Sequence, residues 1–131
     1  MSKRLEAESE IRDLFNSWYK VAARKVKLQV GQTQTAHEFD LYDPNRVIGG
    51  ITTSPWKNRS GSSNSGGQDR ASAELLWLTL WKGDEHRVMI LSGEDMADRL
   101  LKRFQGCSFP HHIEIIHYDS PLREFKELGR L

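Results

Sequence analysis

HEFDLYDPNRVIGGITTS, residues 37–54, is the stretch on which the reading of this chain turns. Phe39 and Leu41 alternate with Glu38, Asp40 and Tyr42, the two-residue period of a strand with one buried face. Asp43-Pro44-Asn45 is turn chemistry, because Pro fixes its own φ and Asp and Asn tolerate turn conformations. RVIGGITTS then resumes as a strand. The pattern predicts a hairpin with Asp40 on one sheet face and Gly50 and Thr52 at the matching positions of the second strand.

Working outward, residues 5–25 carry Leu5, Ile11, Leu14, Phe15, Trp18, Val21 and Ala22 at three- and four-residue steps, an amphipathic helix. Glu6, Glu8 and Glu10 near its start suit the helix dipole. VKLQV (26–30) alternates as a half-buried strand, and GQTQTA (31–36) is a polar connection or strand extension. Residues 54–70, SPWKNRSGSSNSGGQDR, break all periodicity and read as a flexible loop. ASAELLWLTLWK (71–82) is an apolar helix, HRVMILSG a strand of the kind buried inside a sheet, and EDMADRLLKRFQG a helix stopped at Gly106. HHIEIIHYD is a further strand. SPLREFKELGRL reads as a terminal helix, with Ser120 as cap and Pro121 at its first position. The expected order is α-β-β-β-α-β-α-β-α. Single helices between strands imply parallel pairing, so the expected fold is α/β, a mixed sheet with helices on both faces. Residues 1–131 form one domain on this reading.

The chain has 131 residues and a net charge of +1, so no global field draws it to nucleic acid or membrane. Its one cysteine, Cys107, excludes an internal disulfide and a paired-cysteine zinc site. No stretch approaches the ~18 apolar residues of a membrane span, and the N-terminus lacks an apolar signal core. A cytoplasmic protein is expected. Its partners could be nucleic acid, another protein or a second copy of itself.

The order of elements, together with residues 37–57, resembles the PD-(D/E)XK nuclease superfamily, the restriction-endonuclease-like fold. The resemblance covers residues 5 to about 92. It implies a metal site made of an acid on the second strand and an acid-x-Lys triplet on the third. Asp40 falls at the first position, Gly50 at the third-strand acid and Thr52 at the lysine, so one position of three matches. Glu6, Glu8 or Glu10 could stand for the acid that many members carry on the first helix. Phosphodiester hydrolysis of this kind uses a divalent cation, and Mg²⁺ wants hard oxygen ligands, usually one or two carboxylates. Glu74 on the following helix could restore a carboxylate, and Lys57 or Arg70 the cation. The candidate site is therefore Asp40, Glu74 and Lys57, with Asp40 and Glu74 as ligands of Mg²⁺.

Three readings follow. The chain is a nuclease-like, nucleic-acid-associated protein with an impaired metal site, an active Mg²⁺-dependent DNA endonuclease with a rearranged one, or a non-catalytic interaction module. For nucleic acid, Lys57, Arg59 and Arg70 in the loop and Lys25 and Lys27 after the first helix are the candidate phosphate contacts. Each has a blander reading as a solvated cation. The five histidines lack the i, i+4 helical spacing of a zinc site and read as structural. Trp77 and Trp81 read as core, and Trp56 as a loop anchor or a stacking platform.

Overall fold

The computed structural model describes residues 2–32 and 34–131. The elements are α1 (Lys3–Tyr19), β1 (Arg24–Gln29), β2 (Ala36–Asp43), β3 (Val47–Thr52), α2 (Ser65–Leu80), β4 (His86–Leu91), α3 (Met96–Phe104), β5 (Ile113–Asp119) and β6 (Glu124–Arg130). The connection 31–36 includes Thr33, which lies outside the described residues.

The six strands lie side by side in chain order. β3, β4 and β5 are parallel, and antiparallel pairs close both ends, β1 and β2 on one side and β6 on the other. The steps from β3 to β4 to β5 run in one direction across the sheet. Right-handed crossovers must then put α2 and α3 on the same face. One core holds Ala71, Leu75 and Leu78 of α2 and Met96, Ala97 and Leu100 of α3 against Ile48, Met89, Leu91, Ile113 and Ile115. The other holds Ile11 and Phe15 of α1 against Leu41, Val47, Ile51, Val88, Ile90 and Ile116. The expected α/β class, mixed sheet and helices on both faces are present.

The first helix ends at Tyr19 rather than near residue 25, with Lys20 in a left-handed cap and β1 already running at Arg24, and three further expectations need correction. First, SPLREFKELGRL is not a helix. Leu122-N donates to Asp119 Oδ1 at 3.1 Å in a turn, and residues 124–130 pair with β5 as β6. Leu122, Phe125 and Leu128 have helical spacing, but β5 would otherwise offer a bare edge, and pairing satisfies both backbones. The order is thus α-β-β-β-α-β-α-β-β. Second, α2 begins at Ser65 rather than Ala71, capped by Asn64, whose side chain accepts from Gly67-N. Third, Phe39 and Leu41 do not share a face. Between the pairs Arg24–Tyr42 and Val26–Phe39, β2 carries one residue more than β1. This bulge sends Phe39 to the α2 face and Leu41 to the α1 face.

The β2–β3 ladder consists of Leu41–Gly49, Tyr42–Ile48 and Asp43–Val47 and goes no further. Beyond it, residues 36–39 stay with β1 and residues 50–52 stay with β4. The sheet is therefore split where the bulge turns β2 away. Gly49 sits at the fork of this split, and a Cβ there would meet the Val88 backbone oxygen at 2.5 Å and Val88 Cγ2 at 2.6 Å. A backbone atom cannot give way as a side-chain tip can. Gly49→Ala is expected to lower stability by roughly 1–3 kcal/mol, read as a lower urea midpoint with an unchanged slope.

Candidate active site

A cleft of about 360 Å³ lies at the split, lined by Arg4 and Glu8 of α1, Lys25 of β1, His37 and Asp40 of β2, residues 51–54, and Arg70, Ala73, Glu74 and Trp77 of α2. A continuous sheet would keep the α1 and α2 layers apart. The split lets side chains of both layers face one space.

Asp40 stands at the bulge. Its Oδ2 accepts the Ile51 backbone N–H at 2.8 Å, in place of the β2 backbone that has turned away. Arg12 donates to the Asp40 backbone oxygen at 3.3 Å and holds the bulge from the α1 side. Burial raises the Asp40 carboxyl to a pKa of about 6, against the lowering effect of the Ile51 hydrogen bond. Glu74 reaches in from α2. Its Oε1 lies 2.6 Å from His37 Nε2, and its Oε2 is buried with no hydrogen-bond partner among the described residues. Burial first, then the charges of Asp40 and Glu8, raise Glu74 to about 8.

Gly50 joins Glu74 to the strand. A Cβ at position 50 would lie 2.8 Å from Glu74 Oε2. The carboxylate borne by α2 thus occupies the space beside β3 that a side chain at 50 would fill. Of the three acids near the start of α1, Glu8 is the one in the cleft; Glu10 pairs with Arg123 at 3.5 Å. Glu8 is engaged by Lys25 at 3.6 Å and by Arg4 at 3.9 Å. Arg70 faces the cleft beside Ser54, whose Oγ is 3.3 Å from its Nη2.

Asp40, Glu74, Arg70 and Lys25 are therefore brought together, and Lys57, Arg59 and Lys27 are not. Lys57 does not line this cleft. After β3 the chain is drawn aside, because Trp56-N donates to Glu94-O at 3.0 Å. Lys57 and Arg59 consequently line a second hollow with Pro55, Asn58, Gly61, Glu94 and Asp95. Lys27 is exposed on β1, opposite Glu38. The sequence reading missed His37, taken as structural, and did not single out Glu8. Glu8 was legible, since it continues the Ile11–Phe15 stripe one turn earlier at an otherwise apolar position. His37 was legible only as the alternate neighbour of Phe39.

Among the described residues, no three of His, Cys, Asp and Glu gather as a ready-made metal cage. Asp40 and Glu74 offer two carboxylates, a set that suits Mg²⁺, which keeps several waters and takes one or two carboxylates. The bare, buried Glu74 Oε2 fits such a role, because a buried acceptor without a donor is costly unless something binds it. Comparisons of the chain with protein-family models, curated proteins and solved structures gave no match.

The raised Glu74 pKa has a definite sign in stability. Between about 4.5 and about 8 the folded protein keeps a proton that the unfolded chain has released. This contribution is fully present below pH 4.5 and is lost as pH rises through 8. Glu74→Gln removes the dependence, and at pH 9 the variant should exceed the wild type by roughly 1–3 kcal/mol in metal-free buffer. Urea midpoints at pH 5 and pH 9 check this: the wild type should fall more than the variant, and parallel falls would refute it.

Proposed function

We propose that the cleft is a phosphodiester-hydrolysing site acting on nucleic acid, arranged as in PD-(D/E)XK nucleases but with its second carboxylate supplied by α2. The observation that carries this reading is the placement of Glu74 Oε2 against Gly50, where the resemblance expects a strand-borne acid. Asp40 supports it from the expected strand. Asp40 and Glu74 would hold a divalent cation, which when bound would hold the scissile phosphate and lower the pKa of a water. Arg70, which lines the cleft, would hold phosphate oxygens, and Lys25 offsets Glu8 within it.

The segment after β3 supports a nucleic-acid partner. Asn58-N donates to Ser62-O at 2.8 Å and Asn64-N to Trp56-O at 3.1 Å. The buried Gln68 side chain donates to Trp56-O and to Ser63 Oγ. Arg103 donates to Gln68 Oε1 and lies 4.6 Å from the Trp56 ring centroid. So braced, the segment presents exposed Lys57 and Arg59 beside the cleft, where they can meet the backbone of a strand seated in it. Lys57→Ala/Arg59→Ala should weaken duplex binding and lower the slope of log affinity against log salt by about 2, without changing metal affinity. An unchanged slope would remove these two cations from the interface.

One observation favours a second reading, a nucleic-acid-binding protein without cleavage: Thr52 lines the cleft where the resemblance expects a lysine, and Lys57 lines the neighbouring hollow instead. Two measurements together separate the readings. Calorimetric titration with Mn²⁺ should give one site that Asp40→Asn abolishes, and a plasmid or oligonucleotide assay with Mg²⁺ or Mn²⁺ should show cleavage that Asp40→Asn lowers at least 100-fold. Duplex binding and Asp40-dependent Mn²⁺ binding without cleavage would give the second reading. No metal binding at millimolar Mn²⁺ would refute the metal site itself.

A further inference from the structure

His37 precedes the β2 bulge and shares the face of Phe39, which α2 covers. Its ring is stacked on Trp77, with centroids 4.6 Å apart and planes 5° from parallel, and meets Phe39 edge-on at 4.8 Å and 89°. These two contacts fix both the position and the plane of the imidazole. Nε2 is then aimed at Glu74 Oε1, 2.6 Å away. Glu74 lies one turn before Trp77 on α2, so the helix presents the residue that holds the ring and the residue the ring holds on one face. Burial keeps the imidazole toward its neutral form. A neutral ring serves both states of its partner, accepting from a protonated Glu74 or donating to an ionised one.

A glutamate has several rotatable side-chain bonds, and fixing them costs entropy. Without a tether, the Glu74 carboxylate could swing toward the cleft mouth and leave the space beside Gly50. We propose that His37 is a positioning residue, which holds the Glu74 carboxylate over Gly50 by Oε1 and so leaves Oε2 free to bind a divalent cation. This rests on the cleft's reading as a metal site. A hydrogen bond to a ligand carboxylate orients it, and losing such a partner typically costs about 10–100-fold in metal affinity.

The test uses the full chain, with Mn²⁺ as probe. His37→Phe keeps an aromatic ring for Trp77 and Phe39 but removes Nε2, and His37→Gln keeps a donor. Expected are about 10–100-fold weaker Mn²⁺ binding by a His37→Phe variant that still unfolds cooperatively, recovered in part by His37→Gln. In metal-free buffer, ¹³C relaxation at the Glu74 side chain should show new motion in His37→Phe and less in His37→Gln. If His37→Phe does not fold, His37→Leu takes its place. Wild-type affinity in His37→Phe overturns the proposal, as does an affinity in His37→Gln no better than in His37→Phe. Should the wild type bind no Mn²⁺, the metal reading fails on its own, and the metal-free relaxation decides: a Glu74 side chain as ordered in His37→Phe as in the wild type overturns the positioning role.

Discussion

The break in pairing between β2 and β3 is the constraint around which the cleft is arranged. A bulge on β2 keeps its backbone away from β3 before Leu41, and the Ile51 N–H would be left without a partner in the interior of the sheet. The Asp40 carboxylate takes that N–H at 2.8 Å. One side chain thereby repairs the ladder that its own strand abandons. The repair keeps the split open, because a carboxylate spans a gap that backbone pairing would close. A buried acid is thus a structural part of the sheet before it is anything else, and its raised pKa follows from the burial that this role demands.

The split also decides which charges meet. Glu8 belongs to the α1 layer and Glu74 to the α2 layer, yet Glu8 raises the proton affinity of Glu74 as well as that of Asp40 in the same cleft. Lys25 and Arg4 offset Glu8, whereas Glu74, among the described residues, is met by a histidine held toward neutrality. The negative charge of Glu8 is therefore balanced toward α1, whereas the charge that Glu74 takes on when it ionises lies unbalanced beside Gly50. Among the cleft's surfaces, that is where a cation would gain most.

Much of this was legible in the sequence, and the exceptions have separate physical causes. The apolar stripe of α1, the apolar strand HRVMIL and the helices between the parallel strands follow from periodicity, and so do the mixed sheet and its two helical layers. The bulge was not legible. Phe39 and Leu41 are both large and apolar, so the alternation is satisfied on either face, and only the register against β1 shows that they part. β6 was hidden because Leu122, Phe125 and Leu128 fit a helix locally, and what overrides the fit is the open edge of β5, a distant partner. Asp40 and Glu74 could be named through the resemblance alone, which asks for an acid on the second strand and admits a replacement carboxylate from the following helix; without it an acid on a strand face reads as solvated. Lys57 was misplaced, since its path depends on Trp56 bonding to the Glu94 backbone and on Gly93 leaving room for Ser54 and Pro55, contacts that no local pattern encodes.

A carboxylate borne by a helix is not equivalent to one borne by a strand, even when both reach the same point. An aspartate on β3 would be placed by the strand backbone with little freedom. Glu74 arrives from the layer above on a longer, looser side chain, so the same placement needs three conditions that the strand version does not. Position 50 must stay without a side chain, because even a Cβ would press on Glu74 Oε2. One carboxylate oxygen must be tethered, which the His37 contact does. The tether must itself be immobile, which the Trp77 stack and the Phe39 edge ensure. Gly50, His37, Phe39, Glu74 and Trp77 therefore form one device spread over two strands and a helix. Its parts look bland one by one, a glycine, a histidine and two aromatics on apolar faces, and acquire their meaning from the single carboxylate they place.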